Sequence, residues 1–460
     1  MGAPARIRPE RGSELELTVS DLAFGGAGVA RLDGYVVFVS GTVPGDRVRA
    51  VVTRARRDYA EGRAIEVLDP GPDRVAPRAD HPGAAWQVLR YERQLEAKQA
   101  QVEDALRRLG GLDGFELEPI VPAQSQWRYR NKLEYSFGTD DSGRLVCGFH
   151  APGRFDRIVP LRDCLLASGE GNRVRREVLD WCRAEGLTPY DRRRGEGLLR
   201  NLVVREGRRT GQTHVRLVTS PASEAGGAPL RAEALAGAVR CHGLLWTETD
   251  SMGETTAGGR TRVLAGDAGL EEEVAGLRFG ISPLAFFQTN TETAEWLYAV
   301  AGEYAGLGGF DRLFDLYCGI GTLGLILSPR ATELWGLEIV EEAVADAIAN
   351  AARNEIDNAG FFAGDVRLAL RDLVARVGRP DVIVVDPPRA GLSKKVVRRI
   401  IEAAPRRLVY VSCNPTTLAP NAAQLADAGW ALRRVRAVDM FPQTPHIECV
   451  ALLERAGSPA

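Results

Sequence analysis

Leu408-Val409-Tyr410-Val411-Ser412-Cys413-Asn414-Pro415 and, upstream, Val382-Ile383-Val384-Val385-Asp386-Pro387-Pro388-Arg389 follow one plan. Each is a short apolar run that ends on chemically loaded side chains. Runs of this length fit strands buried on both faces. Reactive groups at the carboxyl ends of parallel strands belong to α/β sheets. A thiol at such a tip is a candidate nucleophile rather than core filler.

The flanking sequence agrees. Helical patterns over 291–304 and 341–354 alternate with apolar strand patterns over 313–316 and 334–337. Alternation at this spacing predicts a parallel, doubly wound sheet from residue 281 onward. Its first loop reads Asp315-Leu316-Tyr317-Cys318-Gly319-Ile320-Gly321-Thr322. Glycine allows a tight turn and a close ligand approach, and Glu338 stands at the end of the next strand, where an acid accepts from ribose hydroxyls. The site suits a dinucleotide or S-adenosylmethionine. The absence of a full GxGxxG, the late position in the chain and the first-strand acid Asp315 favour the latter. Cys318 lies inside this turn and reads as structural. Asp365, in Gly364-Asp365-Val366, reads as an adenine contact or a helix cap. The two prolines after Asp386 stiffen the strand exit. Nitrogen-methylating enzymes use similar acid/Asn-Pro-Pro-aromatic loops, but here Arg389 takes the aromatic place.

Towards the N-terminus the pattern changes. Over 14–68, short strands punctuated by Gly and Pro predict a five-strand barrel of OB type. Its arginines, Arg47, Arg49, Arg54, Arg56, Arg57 and Arg63, either contact phosphates or form a solvated face. Asp69-Pro70-Gly71-Pro72 marks a linker, and 91–109 has helical spacing ended by Gly110-Gly111. Strand-like pieces over 132–137, 215–219 and 243–249 flank a helix over 171–183, which predicts a central α+β domain. The triplet Arg192-Arg193-Arg194 lies there and reads as an exposed charged surface or a nucleic-acid contact. The expected division is 1–70 barrel, 71–118 linker and packing helix, 119–280 central RNA-binding domain, and 281–460 catalytic domain.

A chain of 460 residues, 45% hydrophobic and 26% charged, supports two to four domains with substantial cores. It has no apolar run long enough to span a bilayer, and arginines without a following apolar stretch do not make a secretory signal. Seven scattered cysteines do not form a disulfide framework, so a cytoplasmic protein is expected. A net charge of −2 leaves any nucleic-acid affinity to local patches.

Taken together, the motifs resemble the RNA 5-methyluridine methyltransferase family. They are Phe286-Phe287-Gln288-Thr289-Asn290, the 315–322 loop, Gly336-Leu337-Glu338, Asp386-Pro387-Pro388-Arg389-Ala390-Gly391, Ser412-Cys413-Asn414-Pro415 and Asp439-Met440-Phe441-Pro442-Gln443-Thr444-Pro445-His446-Ile447-Glu448. They run in the family's order over roughly 281–455, and the barrel resembles the family's TRAM domain. The resemblance implies that Gln288, Tyr317, Thr322, Glu338, Asp365 and Asp386 surround S-adenosylmethionine. It makes Cys413 the nucleophile, Glu448 the general base and Phe286 a neighbour of the flipped target base. Some members hold an iron–sulfur cluster on four cysteines. Here residues 76–86 contain no cysteine and Cys164 would be left alone, so no cluster or other metal is expected, and Cys164 is expected to be a small buried side chain.

The chemistry accounts for these residues. A thiolate adding to carbon 6 of uracil puts electron density on carbon 5, which takes the methyl group, and a base then removes the carbon-5 proton. A depressed pKa is therefore expected for Cys413, with Asp386 committed to the cofactor or the base. His446 reads equally as an assistant or as a structural histidine. Trp127-Arg128-Tyr129-Arg130-Asn131-Lys132 interleaves aromatic and basic groups as RNA-binding surfaces do, with Arg130 and Lys132 as the phosphate contacts. Phe287 reads as core. The expected partner is ribosomal or transfer RNA, with no membrane and a monomeric chain. One rival is 5-methylcytidine formation, which commonly uses a second cysteine; Cys449 follows Glu448 but points to the opposite face of a strand. The other is a non-catalytic RNA-binding protein or chaperone.

Overall fold

A computed structural model describes residues 8–221, 231–251, 253, 256 and 258–455. The outer ends of the first and last expected domains, 1–7 and 456–460, lie outside the described residues.

Leu17, Val19, Val37, Val39, Val48 and Val52 alternate with more exposed neighbours and fill the inside of a closed five-strand barrel. Its strands are Glu14–Leu22, Gly28–Leu32, Tyr35–Ser40, Arg47–Ala55 and Tyr59–Asp69. Several of the barrel arginines are paired: Arg47 with Asp69 at 2.6 Å, Arg49 with Glu66 at 2.7 Å and Arg54 with Glu61 at 3.6 Å.

The central region is a seven-strand sheet in the order Arg260–Gly266, Gly243–Glu248, Thr213–Thr219, Leu199–Glu206, Lys132–Thr139, Leu145–Ala151, Arg154–Pro160. The helix Gly169–Ala184 buries Val174, Val178 and Cys182 in a core shared with Tyr135, Leu202 and Val204 of this sheet.

The C-terminal sheet has eight strands. Their order is Ala359–Ala363, Glu333–Glu338, Arg312–Leu316, Val382–Val385, Arg407–Ser412, Glu448–Arg455, Trp430–Val438 and Glu116–Val121. The first five are mutually parallel. One apolar core gathers the helices Thr291–Ala305, Thr322–Leu327 and Glu341–Arg353, and another gathers Val366–Val377, Lys394–Ala403 and Pro415–Asp427. Helices on both faces make the sheet doubly wound. The strand Glu448–Arg455 runs antiparallel to Arg407–Ser412. Its start therefore lies at the edge where the parallel strands end.

The strand Glu116–Val121 spans the expected boundary between 118 and 119 and joins the edge of the catalytic sheet. The helix before it, Tyr91–Asp104, continues through a π-turn over Ala105–Leu109. This segment is bolted on by buried polar contacts. Lys98 Nζ meets Asp439 Oδ1 at 2.6 Å and donates to the Phe441 carbonyl at 3.0 Å. Gln94 donates to Gln443 Oε1 at 3.0 Å and accepts from the Gln443 amide at 2.9 Å. The barrel touches the same place: Gly26 has φ +93°, and a Cβ there would lie 2.8 Å from both Pro445 and the Trp86 indole nitrogen. Among the described residues no helix is long and apolar enough to cross a membrane.

Candidate active site

The site gathers at the carboxyl edge of the catalytic sheet. Ser412 is paired with Cys449 in register, so the next position of each strand towards the edge is Cys413 and Glu448. Adjacent residues on a strand face opposite ways. Cys449 is fully buried among the residues of one core, with its thiol 3.6 Å from the Ser412 carbonyl oxygen, while Val450 joins the other core. Cys413 is half-buried and Glu448 is 4% exposed.

The charge around Cys413 corrects the expected depressed pKa. Burial, followed by the nearby Glu448 and Asp386 carboxyls, pushes the thiol up to about 11, against the lowering influence of the Arg389 charge and a backbone hydrogen bond. Glu448 is raised well above the usual carboxylate range by burial and Asp386. Burial likewise lifts Asp386 to about 7, although the Gln288 amide donates to it at 3.4 Å. The surroundings of the thiol are therefore rich in acid, with the Arg389 charge acting against them. Sequence reading noticed Arg389 only as a departure from an aromatic pattern; its charge near both the thiol and Glu448 emerges from the packing.

The glycine loop is built from backbone. Tyr317 has φ +63° and donates its amide to the Leu337 carbonyl at 2.9 Å. Gly321, with φ +83°, precedes the helix Thr322–Leu327, and Thr322 is 8% exposed. Glu338 accepts from the amides of Gly319 at 3.1 Å, Ile339 at 2.7 Å and Val340 at 3.0 Å. Ile339 beside it is 61% exposed, an apolar surface next to an acid. Gly336 must be glycine, because a Cβ would lie 2.3 Å from the Phe361 ring and 2.9 Å from Cys318 Sγ. Cys318 is buried in this turn. Asp315 holds the Gly324 amide at 2.9 Å, and burial raises it to about 8. Asp365 caps the helix Val366–Val377 through the Arg367 amide at 2.8 Å and also pairs with the Arg367 side chain.

Phe286 is 66% exposed and Phe287 only 4%. The buried Arg205 donates to the Ala285 carbonyl at 3.0 Å and so fixes the loop that presents Phe286. The aromatic–basic stretch 127–132 is largely a brace. Arg128 pairs with Asp163 at 2.5 Å, the Tyr129 hydroxyl donates to the Pro442 carbonyl at 3.1 Å, and Asn131 holds the Gln288 carbonyl at 2.8 Å. Lys132 is bound to Glu134 at 2.9 Å, whereas the Arg130 guanidinium lies over Phe441 at 5.4 Å. His446 meets Phe441 edge-on at 5.8 Å between centroids. Desolvation and the charges of Arg130, Arg389 and Lys98 push it down to about 4, so its imidazole is neutral at neutral pH.

Away from this edge, Cys164 is fully buried with its sulfur 3.3 Å from His81 Nε2. The imidazole comes from the 76–86 stretch that holds no cysteine, a pairing with no local signal in the sequence. Among the described residues no group of three or more His, Cys, Asp or Glu side chains is placed to hold a metal ion.

A doubly wound sheet with a glycine-rich first loop and a thiol among buried acids belongs to the class of Rossmann-like group-transfer enzymes. Comparison with known proteins narrows this. The family model described as tRNA (Uracil-5-)-methyltransferase matches residues 277–456, and the TRAM domain model matches 8–65. A protein of Halalkalibacterium halodurans, described as an uncharacterized RNA methyltransferase, is 37% identical over 447 residues, covering 96% of both chains. One of the same description from Bacteroides thetaiotaomicron is 38% identical, covering 94% of this chain and all of its own (100%). The crystal structure of Pyrococcus abyssi tRNA (uracil-54, C5)-methyltransferase, in complex with S-adenosyl-L-homocysteine, superposes with a TM-score of 0.77 at 27% identity. That match covers 95% of this chain and 99% of the other. The protein is an enzyme and belongs to the RNA methyltransferase family of the tRNA (uracil-5-)-methyltransferase type.

Proposed function

We propose that this enzyme transfers the methyl group of S-adenosylmethionine to carbon 5 of a uridine in ribosomal or transfer RNA, through a covalent bond between Cys413 and carbon 6. The observation that carries this reading is the strand register that sets Cys413 and Glu448 side by side at the sheet edge bearing the glycine loop.

The residues present suit the cofactor. Glu338 with the exposed Ile339 fits an adenosine, and the acid-rich chamber around Asp386 fits a cation. Tyr317, Thr322, Glu338 and Asp365 would hold the nucleoside end, and Gln288 and Asp386 the methionine end. Bound there, the cofactor supplies an electrophilic methyl on a sulfonium whose positive charge offsets the surrounding acids. The uridine must leave its stack, at a cost of a few kcal/mol, and Phe286 offers an exposed ring to receive it. Arg130 and Lys132 are the proposed phosphate contacts.

Cys413 gives its proton to solvent, its thiolate sulfur bonds to carbon 6, and the carbon 5–carbon 6 electron pair moves into an enolate. Carbon 5, made electron-rich, would then take the methyl group that a bound S-adenosylmethionine supplies, the cofactor sulfur keeping the electron pair of the bond that breaks. The Glu448 carboxylate takes the carbon-5 proton. The electron pair returns to the ring and expels the sulfur. Glu448 suits this task because burial raises its affinity for a proton. The burial of Cys449 away from the site weighs against a two-cysteine cytosine mechanism.

The test uses two variants on RNA from a strain deleted for this gene. Cys413→Ala should abolish methyl transfer while keeping RNA binding, and Glu448→Gln should accumulate a protein–RNA adduct. Residual transfer by Cys413→Ala at more than a few per cent of the parent rate would remove Cys413 as nucleophile.

A further inference from the structure

The arginine triplet of the central domain takes no part in the site above, yet two of its members, Arg192 and Arg193, border a cavity of about 350 Å³. Ser136, Phe137, Tyr190, Arg192, Arg193 and Arg200 are among its lining residues. We infer that this cavity is a second RNA subsite, which takes a nucleotide of the substrate outside the target uridine; the inference rests on the RNA reading proposed above.

Four observations carry it. First, three arginines, Arg192, Arg193 and Arg200, line one concavity. Second, the Arg200 guanidinium stacks on the Tyr190 ring at 4.2 Å and is locked there by the Ser220 hydroxyl at 2.9 Å and the Ser251 carbonyl at 2.5 Å. A fixed aromatic–guanidinium pair is a surface on which an unstacked base packs. Third, the two lining carboxylates are engaged by neighbours. Asp156 holds Arg154 at 2.8 Å and Arg193 at 3.7 Å, and Asp191 accepts from the Arg193 amide at 2.8 Å and pairs with Arg194 at 3.8 Å. Fourth, partial burial and the Arg200 charge lower the Arg192 pKa, so an anion arriving there relieves repulsion between guanidiniums.

Position separates this cavity from the catalytic chamber. Lys132, next to the Asn131 that braces Gln288, begins the strand whose far half, Ser136 to Thr139, lines the cavity. Four to seven residues of extended strand span about 13–23 Å. The cavity therefore cannot hold the target base, and it selects for an RNA long enough to reach both places.

The experiment measures fluorescence anisotropy of a labelled 30-nucleotide and a labelled 6-nucleotide RNA of mixed sequence with the full chain, over a range of salt concentrations. The double variant R192E/R193E should bind the 30-mer about tenfold more weakly. Its plot of log affinity against log salt should be shallower by about 1.4, for two lost phosphate contacts on a single strand. Binding of the 6-mer and of S-adenosylmethionine should be unchanged. Photo-crosslinking the unsubstituted chain to the 30-mer should label residues 189–200, a readout that needs no variant to fold. Parent-like 30-mer affinity and salt slope in the variant, or crosslinks confined to other regions, would overturn the subsite alone. Failure of the unsubstituted chain to bind either RNA would overturn the RNA reading and the subsite with it.

Discussion

Replacing Lys98 by Ala should destabilise the catalytic domain severely, although Lys98 lies far from Cys413 in sequence. Its side chain is 1% exposed and that of its partner Asp439 is 0% exposed, with 2.6 Å between Nζ and Oδ1. Truncation leaves Asp439 with the Tyr91 hydroxyl, which donates at 2.9 Å, but without a countercharge. It also frees the Phe441 carbonyl. Removing one partner of a buried pair costs about 3–5 kcal/mol, because the other charge remains buried alone. For a domain of this size each kcal/mol lowers the melting temperature by about 2–4 °C, so a fall of about 6–20 °C is expected. Differential scanning fluorimetry reads the shift. The double variant Lys98→Met with Asp439→Leu should lose much less than the sum of the single changes, since it buries no lone charge. A Lys98→Ala shift below 2 °C, or strict additivity in the cycle, would refute the view that this pair clamps the 91–104 helix to the segment leading to Glu448.

Three further outcomes follow from the site. With its thiol at about 11, Cys413 in the free enzyme is ionised to about one part in a thousand at pH 8; its alkylation by iodoacetamide, followed by peptide mass spectrometry, should rise about tenfold per pH unit from 7 to 9, and a plateau below pH 10 would contradict the acid-rich environment. Gly336→Ala should cost about 1–3 kcal/mol through overpacking against Phe361 and Cys318 and weaken S-adenosylmethionine binding by calorimetry, whereas parent-like stability and binding would show that the turn yields. Phe286→Ala should change stability by less than about 0.5 kcal/mol while lowering kcat/KM on RNA, and Phe287→Ala should cost about 3–5 kcal/mol. Melting curves and methyl-transfer rates separate the two, and a large stability loss at Phe286 would remove it from the RNA side.

The catalytic sheet was legible because the strands Val382–Val385 and Arg407–Ser412 are apolar runs, as expected of strands covered on both faces. Much of the central sheet was not. Leu199–Glu206 is buried along its whole length yet contains Arg200, Asn201, Arg205 and Glu206. These polar groups find partners in Ser220, Ser136, Ala285 and Ser168, and no local pattern announces such distant matches. Glu116–Val121 carries Pro119, which a strand tolerates at a sheet edge, and its edge position is set by pairing with a segment over 300 residues downstream. The stretch 127–132 was ambiguous for a related reason: aromatic and basic residues look alike in sequence whether they face RNA or brace a neighbouring loop.

The sequence by itself determined the chemical inventory: a thiol and an acid at strand ends, a glycine turn that only particular backbone angles permit, and a short first-domain pattern that closes as a barrel. These are local properties of side chains and dihedrals. Tertiary structure alone decided which of them meet and in what charge state. An antiparallel return strand brings Glu448 next to Cys413, and the thiol's own burial, together with the nearby carboxyls, drives it up rather than down. Packing ties Lys132 to Glu134, gives Cys164 an imidazole partner, and pairs Lys98 with an aspartate 341 residues away. Proton affinity depends on desolvation and on charges a few ångströms off, and those distances do not exist until the chain has folded.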